Sequence, residues 1–162
     1  SYNYGSRNNV MLRRVFKICT TFIVASAAVV SVLALLGSSV VVEIFTPKGT
    51  QTYEIARNGF FLFSLNYFFA GVNIFSSSLF TALSNGKVSA IISFMRTFGF
   101  IVVSILVLPE LLGVNGVWLA VPVAEFLTVF VSVWFMWKKK EVYQYAGKAK
   151  KSSSLAIESG NI

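Results

Sequence analysis

The chain alternates long apolar runs with short polar clusters. Ile18 to Val42 and Asn58 to Gly86 contain no charged residue, Val88 to Leu108 contains only Arg96, and Leu111 to Trp137 contains only Glu125. The four runs hold 25, 29, 21 and 27 residues. A helix rises about 1.5 Å per residue and a bilayer hydrocarbon core is roughly 30 Å thick, so each run is long enough to cross it. The pattern predicts an all-α membrane protein with four transmembrane helices at about 18–42, 58–84, 88–109 and 112–137. A cytoplasmic segment 1–17 precedes this 18–137 membrane region, and a basic cytoplasmic tail 138–162 follows it. Four such helices in a soluble fold would leave almost no polar surface. Membrane β-strands need only about 10 alternating residues, and these runs are longer and continuous.

Composition agrees with the pattern. The chain is 56% hydrophobic and only 12% charged, where a soluble domain carries about 25% charge. It has no histidine and a single cysteine, Cys19. An internal disulfide framework and any multi-Cys or Cys/His metal site are therefore excluded. The net charge of +8 comes from basic residues at the edges of the apolar runs. That distribution points to the lipid bilayer as partner, with anionic headgroups as counter-charges, and not to nucleic acid.

Lys and Arg set the orientation. Arg7, Arg13, Arg14, Lys17, Lys87, Arg96, Lys138, Lys139, Lys140, Lys148, Lys150 and Lys151 fall on one side, and only Lys48 and Arg57 on the other. Twelve against two predicts a multi-pass protein of the cell membrane with both termini and the second-to-third turn in the cytoplasm. Trp137 marks the cytoplasmic edge of the last span. The connections are short: Thr46 to Arg57, the turn Ser84-Asn85-Gly86-Lys87, and Pro109 to Gly116. Asn-Gly stands at three boundaries, Asn58-Gly59, Asn85-Gly86 and Asn115-Gly116. Both residues tolerate positive φ, so turns are expected there.

The inventory does not suggest an enzyme, and no catalytic residue is assigned. No two carboxylates share helical spacing inside a span, and no Gly-rich phosphate loop is present. Ser84 and Lys87 have the Ser-x-x-Lys spacing of some acyl enzymes, but its companion motifs are missing. Two ionisable residues do lie inside spans, where a charge is costly. Arg96 is nine residues from Lys87, about 13 Å along a helix. It either snorkels to the headgroups or finds a partner. Glu125 is close to the midplane, too short to snorkel, and is either paired, functional or protonated. Glu125 is twelve residues from Trp137, so the two depths differ by three residues, about 4.5 Å, which an Arg side chain covers. An intramembrane ion pair between the last two spans is the expectation.

The second span carries a polar stripe. Asn66 and Asn73 are seven residues apart and share a face, which Ser77 and Thr81 extend. Phe63, Tyr67 and Phe80 lie near it. Two readings stand. The stripe either glues helices by close packing and hydrogen bonds, or lines an aqueous cavity whose aromatics receive a flat apolar ligand.

These residues resemble a known arrangement. Ser1-Tyr2-Asn3-Tyr4-Gly5 with Asn8 and the basic stretch resembles the cytoplasmic end of the eighth helix in multidrug and toxic compound extrusion (MATE) transporters. Ala82 to Lys87 is similar to the turn after their tenth helix. Leu112 to Ala120, with Pro122 and Glu125, looks like the start of their twelfth. The resemblance covers residues 1 to about 140. It implies that the spans are helices nine to twelve, part of one six-helix lobe of a twelve-helix transporter, with both ends cytoplasmic. It implies exchange of Na⁺ or H⁺ for small organic, often cationic, drugs, with no cofactor besides the coupling ion. Some branches hold that ion on an acid of the tenth helix; the matching span here offers Asn66 and Asn73 instead, so coupling is expected in the amino-terminal lobe. The chain starts without Met and without a signal-peptide pattern, which is expected of a piece of a longer protein whose amino-terminal lobe is a further partner. A flippase of lipid-linked saccharides from the same superfamily, with a more cationic cavity, and a non-transporting membrane scaffold are the alternatives.

Overall fold

Polar side chains start three of the long helical segments. A helix start leaves its first N–H groups without partners, and a side-chain oxygen at the N-cap satisfies one of them at about 1 kcal/mol. Asn8 accepts from the Met11 N–H at 3.0 Å, Thr50 from Tyr53 at 3.1 Å, and Asn85 from Val88 at 3.2 Å. The computed structural model describes residues 1–146. A short helix α1 (Tyr2–Gly5) leads into α2 (Asn9–Phe45), then α3 (Gln51–Ser64), α4 (Asn66–Ala82), α5 (Gly86–Phe94), α6 (Phe100–Leu112) and α7 (Val114–Tyr143). Helices α3 and α4 are nearly continuous through Leu65, and α5 joins α6 through a π-helical turn, Met95–Gly99. The result is four membrane-length segments, Asn9–Phe45, Gln51–Ala82, Gly86–Leu112 and Val114–Tyr143, and no strand among the described residues.

The helices outrun the uncharged runs. Helix α2 starts nine residues before Ile18 and so carries Arg13, Arg14 and Lys17 on the helical turns that precede the uncharged run. Helix α7 continues through Lys138–Lys140 to Tyr143, so the start of the predicted tail is helical. The rest of that tail, from 147 on, with Lys148, Lys150 and Lys151, lies outside the described residues. The expected Pro109 to Gly116 loop is also mostly helix. Pro109 sits inside α6, and Gly113 alone, at φ +58° and ψ −135°, turns the chain into α7. That backbone region is open almost only to glycine.

None of the three Asn-Gly pairs takes the positive φ expected of it. They serve helix contacts instead. Asn85 is an N-cap, and the left-handed residue of that turn is Ser84. Gly59 lies inside α3 under the Trp118 ring, which occupies the space that a Cβ would need. Gly116 lies in the first turn of α7, where a Cβ would stand 2.0 Å from the Leu108 carbonyl oxygen. Missing side chains here let helices approach closely, the usual device between membrane helices.

The interior combines small and polar side chains with a few large apolar ones such as Phe80 and Ile92, and the exterior is large and apolar. Ser64, Asn73, Ser76, Thr128, Ser132, Ala120 and Ala124 are buried, while Leu33, Leu36, Ile44, Leu106 and Phe130 stand exposed. Lipid tails are as apolar as leucine, so contact between spans is driven by close packing and hydrogen bonds and not by hydrophobic burial. The two ends are tied separately. At one, Lys48 pairs with Glu43 at 2.7 Å, Arg57 Nε donates to Ser39 at 3.0 Å, and Asn58 donates to Asn115 at 2.6 Å. The Glu43 carboxylate, by hydrogen bond and charge, pushes the Lys48 pKa up. At the other, the residue after α7, Gln144, adopts φ +54° and folds the chain back. Tyr145 then packs against Leu12 and Leu83, with Phe16 beside them. Burial pushes its phenol up to about 12, so it is neutral at physiological pH.

Candidate functional site

Contacts between the second and last segments rise together along the chain. Asn58 meets Asn115, Asn73 meets Glu125, and Asn85 meets Tyr143. The two therefore run parallel, in one continuous register. At the middle of that register α4, α7 and the π-helical turn converge. Asn73 Nδ2 donates to Glu125 Oε2 at 2.7 Å and to the Glu125 backbone carbonyl at 2.9 Å. Its own Oδ1 accepts from Ser132 Oγ at 2.8 Å, and Ser76 Oγ donates to the Ser132 carbonyl at 3.5 Å. Arg96 Nε stands 3.5 Å from Glu125 Oε1. Asn73, Ser76 and Ser132 are 0% exposed.

Each member owes its position to local sequence. Asn73, Ser76 and Phe80 recur at three- and four-residue steps on α4, which puts all three on its buried face. Glu125, Thr128 and Ser132 repeat that spacing on α7, and Thr128 returns its own hydroxyl to the Ala124 carbonyl at 2.7 Å. Arg96 lies on the π-helical turn. Such a turn inserts a residue into the α-helical register and so changes which face the following side chains occupy. The chemistry is charge compensation in a dry setting. Glu125 offers two oxygens, and one faces a guanidinium while the other accepts an amide N–H. A buried carboxylate needs this kind of partnership.

The other predicted site residues are distributed differently. Ser77 and Thr81 turn toward α5: Ser77 Oγ lies 2.9 Å from Ser89 Oγ and 2.8 Å from Ser93 Oγ, and Thr81 Oγ1 lies 2.7 Å from Ser89 Oγ. Phe80 is fully buried against Phe135 and Tyr143. Asn73 and Phe80 thus sit inside the helix packing and not on an open cavity wall. Asn66 follows the Leu65 break, and its Oδ1 is buried without a hydrogen-bond partner among the described residues. Phe63 and Tyr67 stack edge to face at 6.2 Å. Tyr67 borders an apolar groove of about 420 Å³ between α2 and α4, with Ile23, Ala27, Val30 and Gly71. The stripe therefore divides into interhelical bonds at Asn73, Ser77 and Thr81 and an open edge at Tyr67. Sequence reasoning left out Ser132, Ser89 and Ser93. The signal was available, since Ser132 lies two turns from Glu125 and Ser89 one turn from Ser93.

Four membrane-length helices held by a buried polar junction define a helical multi-pass membrane protein. The family model for MatE matches residues 1–107, about two thirds of the chain. The chain belongs to the MatE family, and with it to a class of membrane transporters and not of enzymes. Comparison with curated proteins and with solved structures gives no significant match. The match ends inside α6, so Glu125 and Ser132 lie beyond it, yet they bond to residues within it.

The junction makes a graded prediction. Asn73→Ala leaves the Ser132 hydroxyl and one Glu125 oxygen without partners, a cost of about 1–3 kcal/mol for buried groups. Ser77→Ala removes bonds on a half-exposed edge and costs roughly 0.6 kcal/mol. Unfolding titrations in mixed detergent micelles should rank the two in that order. Equal, small effects would mean that Asn73 is not holding the junction.

Proposed function

We propose that the protein works in secondary active efflux, exporting organic, often cationic, molecules in exchange for Na⁺ or H⁺. The observation that carries the reading is the neutralised interior. Arg96 is the one basic residue within the four apolar runs, and Glu125 faces it at 3.5 Å. A lipid-linked pyrophosphate would need a cationic cavity, and this pairing leaves no unpaired cation within the four apolar runs. A cationic or neutral guest suits such an interior better, and the family match supports transport as the activity. The groove beside Tyr67 offers an aromatic edge and an apolar wall for the body of a flat guest.

In this proposal Glu125 is structural. Its two oxygens are engaged by Arg96 and Asn73, so the carboxylate is not free to take a coupling ion. Coupling then falls to a second, amino-terminal lobe of the kind the MATE resemblance implies, with no cofactor besides the ion. The orientation is the one the Lys and Arg distribution favours: a cell-membrane protein with both termini and Lys87 cytoplasmic and Lys48 outside.

Efflux is tested in proteoliposomes of the full protein, loaded with a fluorescent organic cation under an imposed Na⁺ or proton gradient. Gradient-dependent export is expected. Export of a lipid-linked saccharide without a gradient, and no movement of the cation, would favour the flippase instead.

Orientation is tested separately by cysteine labelling in a Cys19→Ser background. An impermeant maleimide applied to whole cells should modify Lys48→Cys and spare Lys87→Cys. The reverse pattern would overturn the assignment.

A further inference from the structure

A second feature lies away from the junction, near the start of α2, where basic and hydroxyl side chains border a mostly apolar pocket. Arg13, Phe16, Lys17, Thr20 and Thr21 lie on one face of α2 and, with the folded-back Tyr145 and Ala146, line an open pocket of about 330 Å³. Arg13 is fixed in place, since its Nε donates to the Gln144 carbonyl at 2.9 Å. Asn9 holds the same residue by donating to Gln144 Oε1 at 2.7 Å. The Tyr145 hydroxyl donates to the Met136 carbonyl, which sets its ring as a wall. Neither Arg13 nor Lys17 has an ion-pair partner among the described residues, and no carboxylate lines the pocket. Thr20 Oγ1 is buried and has no hydrogen-bond partner among the described residues.

We propose that this pocket binds a phosphate group, carried by an anionic phospholipid headgroup or by a soluble phosphate. The chemistry of the lining fits that class. A guanidinium anchored through Nε still presents its terminal nitrogens as a fork for two phosphate oxygens. Lys17, one turn on, adds a point charge, and the two threonine hydroxyls supply further donors. Lys17 is the last charge before the uncharged run that starts at Ile18, so the site sits at headgroup depth. An oxygen ligand also gives the orphaned Thr20 hydroxyl an acceptor. The aromatic rings of Phe16 and Tyr145 leave room for the glycerol backbone and the first methylenes of an acyl chain. A bound phosphate would bridge α2 to the end of α7, which Gln144 already links.

The test uses the full protein in dodecyl maltoside micelles, which carry no phosphate. Calorimetric titrations compare dihexanoyl phosphatidylglycerol, inorganic phosphate and dihexanoyl glycerol, which lacks the phosphate. Lys17→Gln removes an exposed charge and Thr20→Val is nearly isosteric, so both keep the fold; their unfolding midpoints check this. Saturable binding of a phosphate compound is expected, weakened about tenfold or more by Lys17→Gln, as for loss of a charged hydrogen bond. Thr20→Val should weaken it measurably as well. Binding of the lipid alone identifies a headgroup site, and equal binding of inorganic phosphate identifies a soluble ligand. Binding of neither, equal binding of dihexanoyl glycerol, or unchanged affinity in both variants would overturn the proposal.

Discussion

The contact among Asn73, Glu125 and Arg96 carries the arrangement of the helices. A charge placed alone near the bilayer centre costs at least about 2.5 kcal/mol on insertion scales. Two such residues in one small bundle are tolerable only if they find each other and if the remaining polar atoms are satisfied. Asn73 does the second part. It binds the Glu125 side chain and backbone at once and accepts from Ser132 two turns further along α7. One side chain thereby fixes both the distance and the register of α4 against α7. Arg96, from the π-helical turn, closes the third side.

The rest of the packing follows from the same solvent logic. Hydrocarbon gives large apolar residues no reason to leave the surface, so leucines, valines and phenylalanines crowd the exterior. Serines, glycines and alanines fill the contacts, because small side chains permit close approach and hydroxyls bond across it. The Ser77, Thr81, Ser89 and Ser93 cluster joins α4 to α5 in this manner. Beyond the hydrocarbon, ordinary protein packing resumes. Tyr145, Leu12 and Leu83 form an aromatic and aliphatic clamp at one end, and charged and amide pairs tie the other.

Long-range properties were legible in the sequence, and local geometry was less so. Four membrane-length helices follow from run length alone, since the bilayer sets the scale. Depth along the last two spans anticipated that Arg96 and Glu125 lie within reach of each other. The break at Leu65 and the π-helical turn carry no proline to announce them. Asn-Gly was read by its local preference, but close helix contacts at Trp118 and Leu108 overrode it. The polar stripe was read as one feature because periodicity records a face and not the neighbour that covers it. Here α7 covers Asn73, α5 covers Ser77, and the edge at Tyr67 stays open.

The central claim is that Glu125 and Arg96 are mutual partners that hold the last two membrane segments together. Exchanging the charges tests it most directly. Arg96→Glu or Glu125→Arg alone leaves two like charges facing each other, and folded yield and detergent stability should collapse. The double exchange Arg96→Glu with Glu125→Arg restores an opposite pair at the same place and should recover a large part of both. Recovery no better than either single variant, together with a Glu125→Gln protein that folds normally but loses ion-coupled transport, would contradict the account and make the carboxylate the functional group.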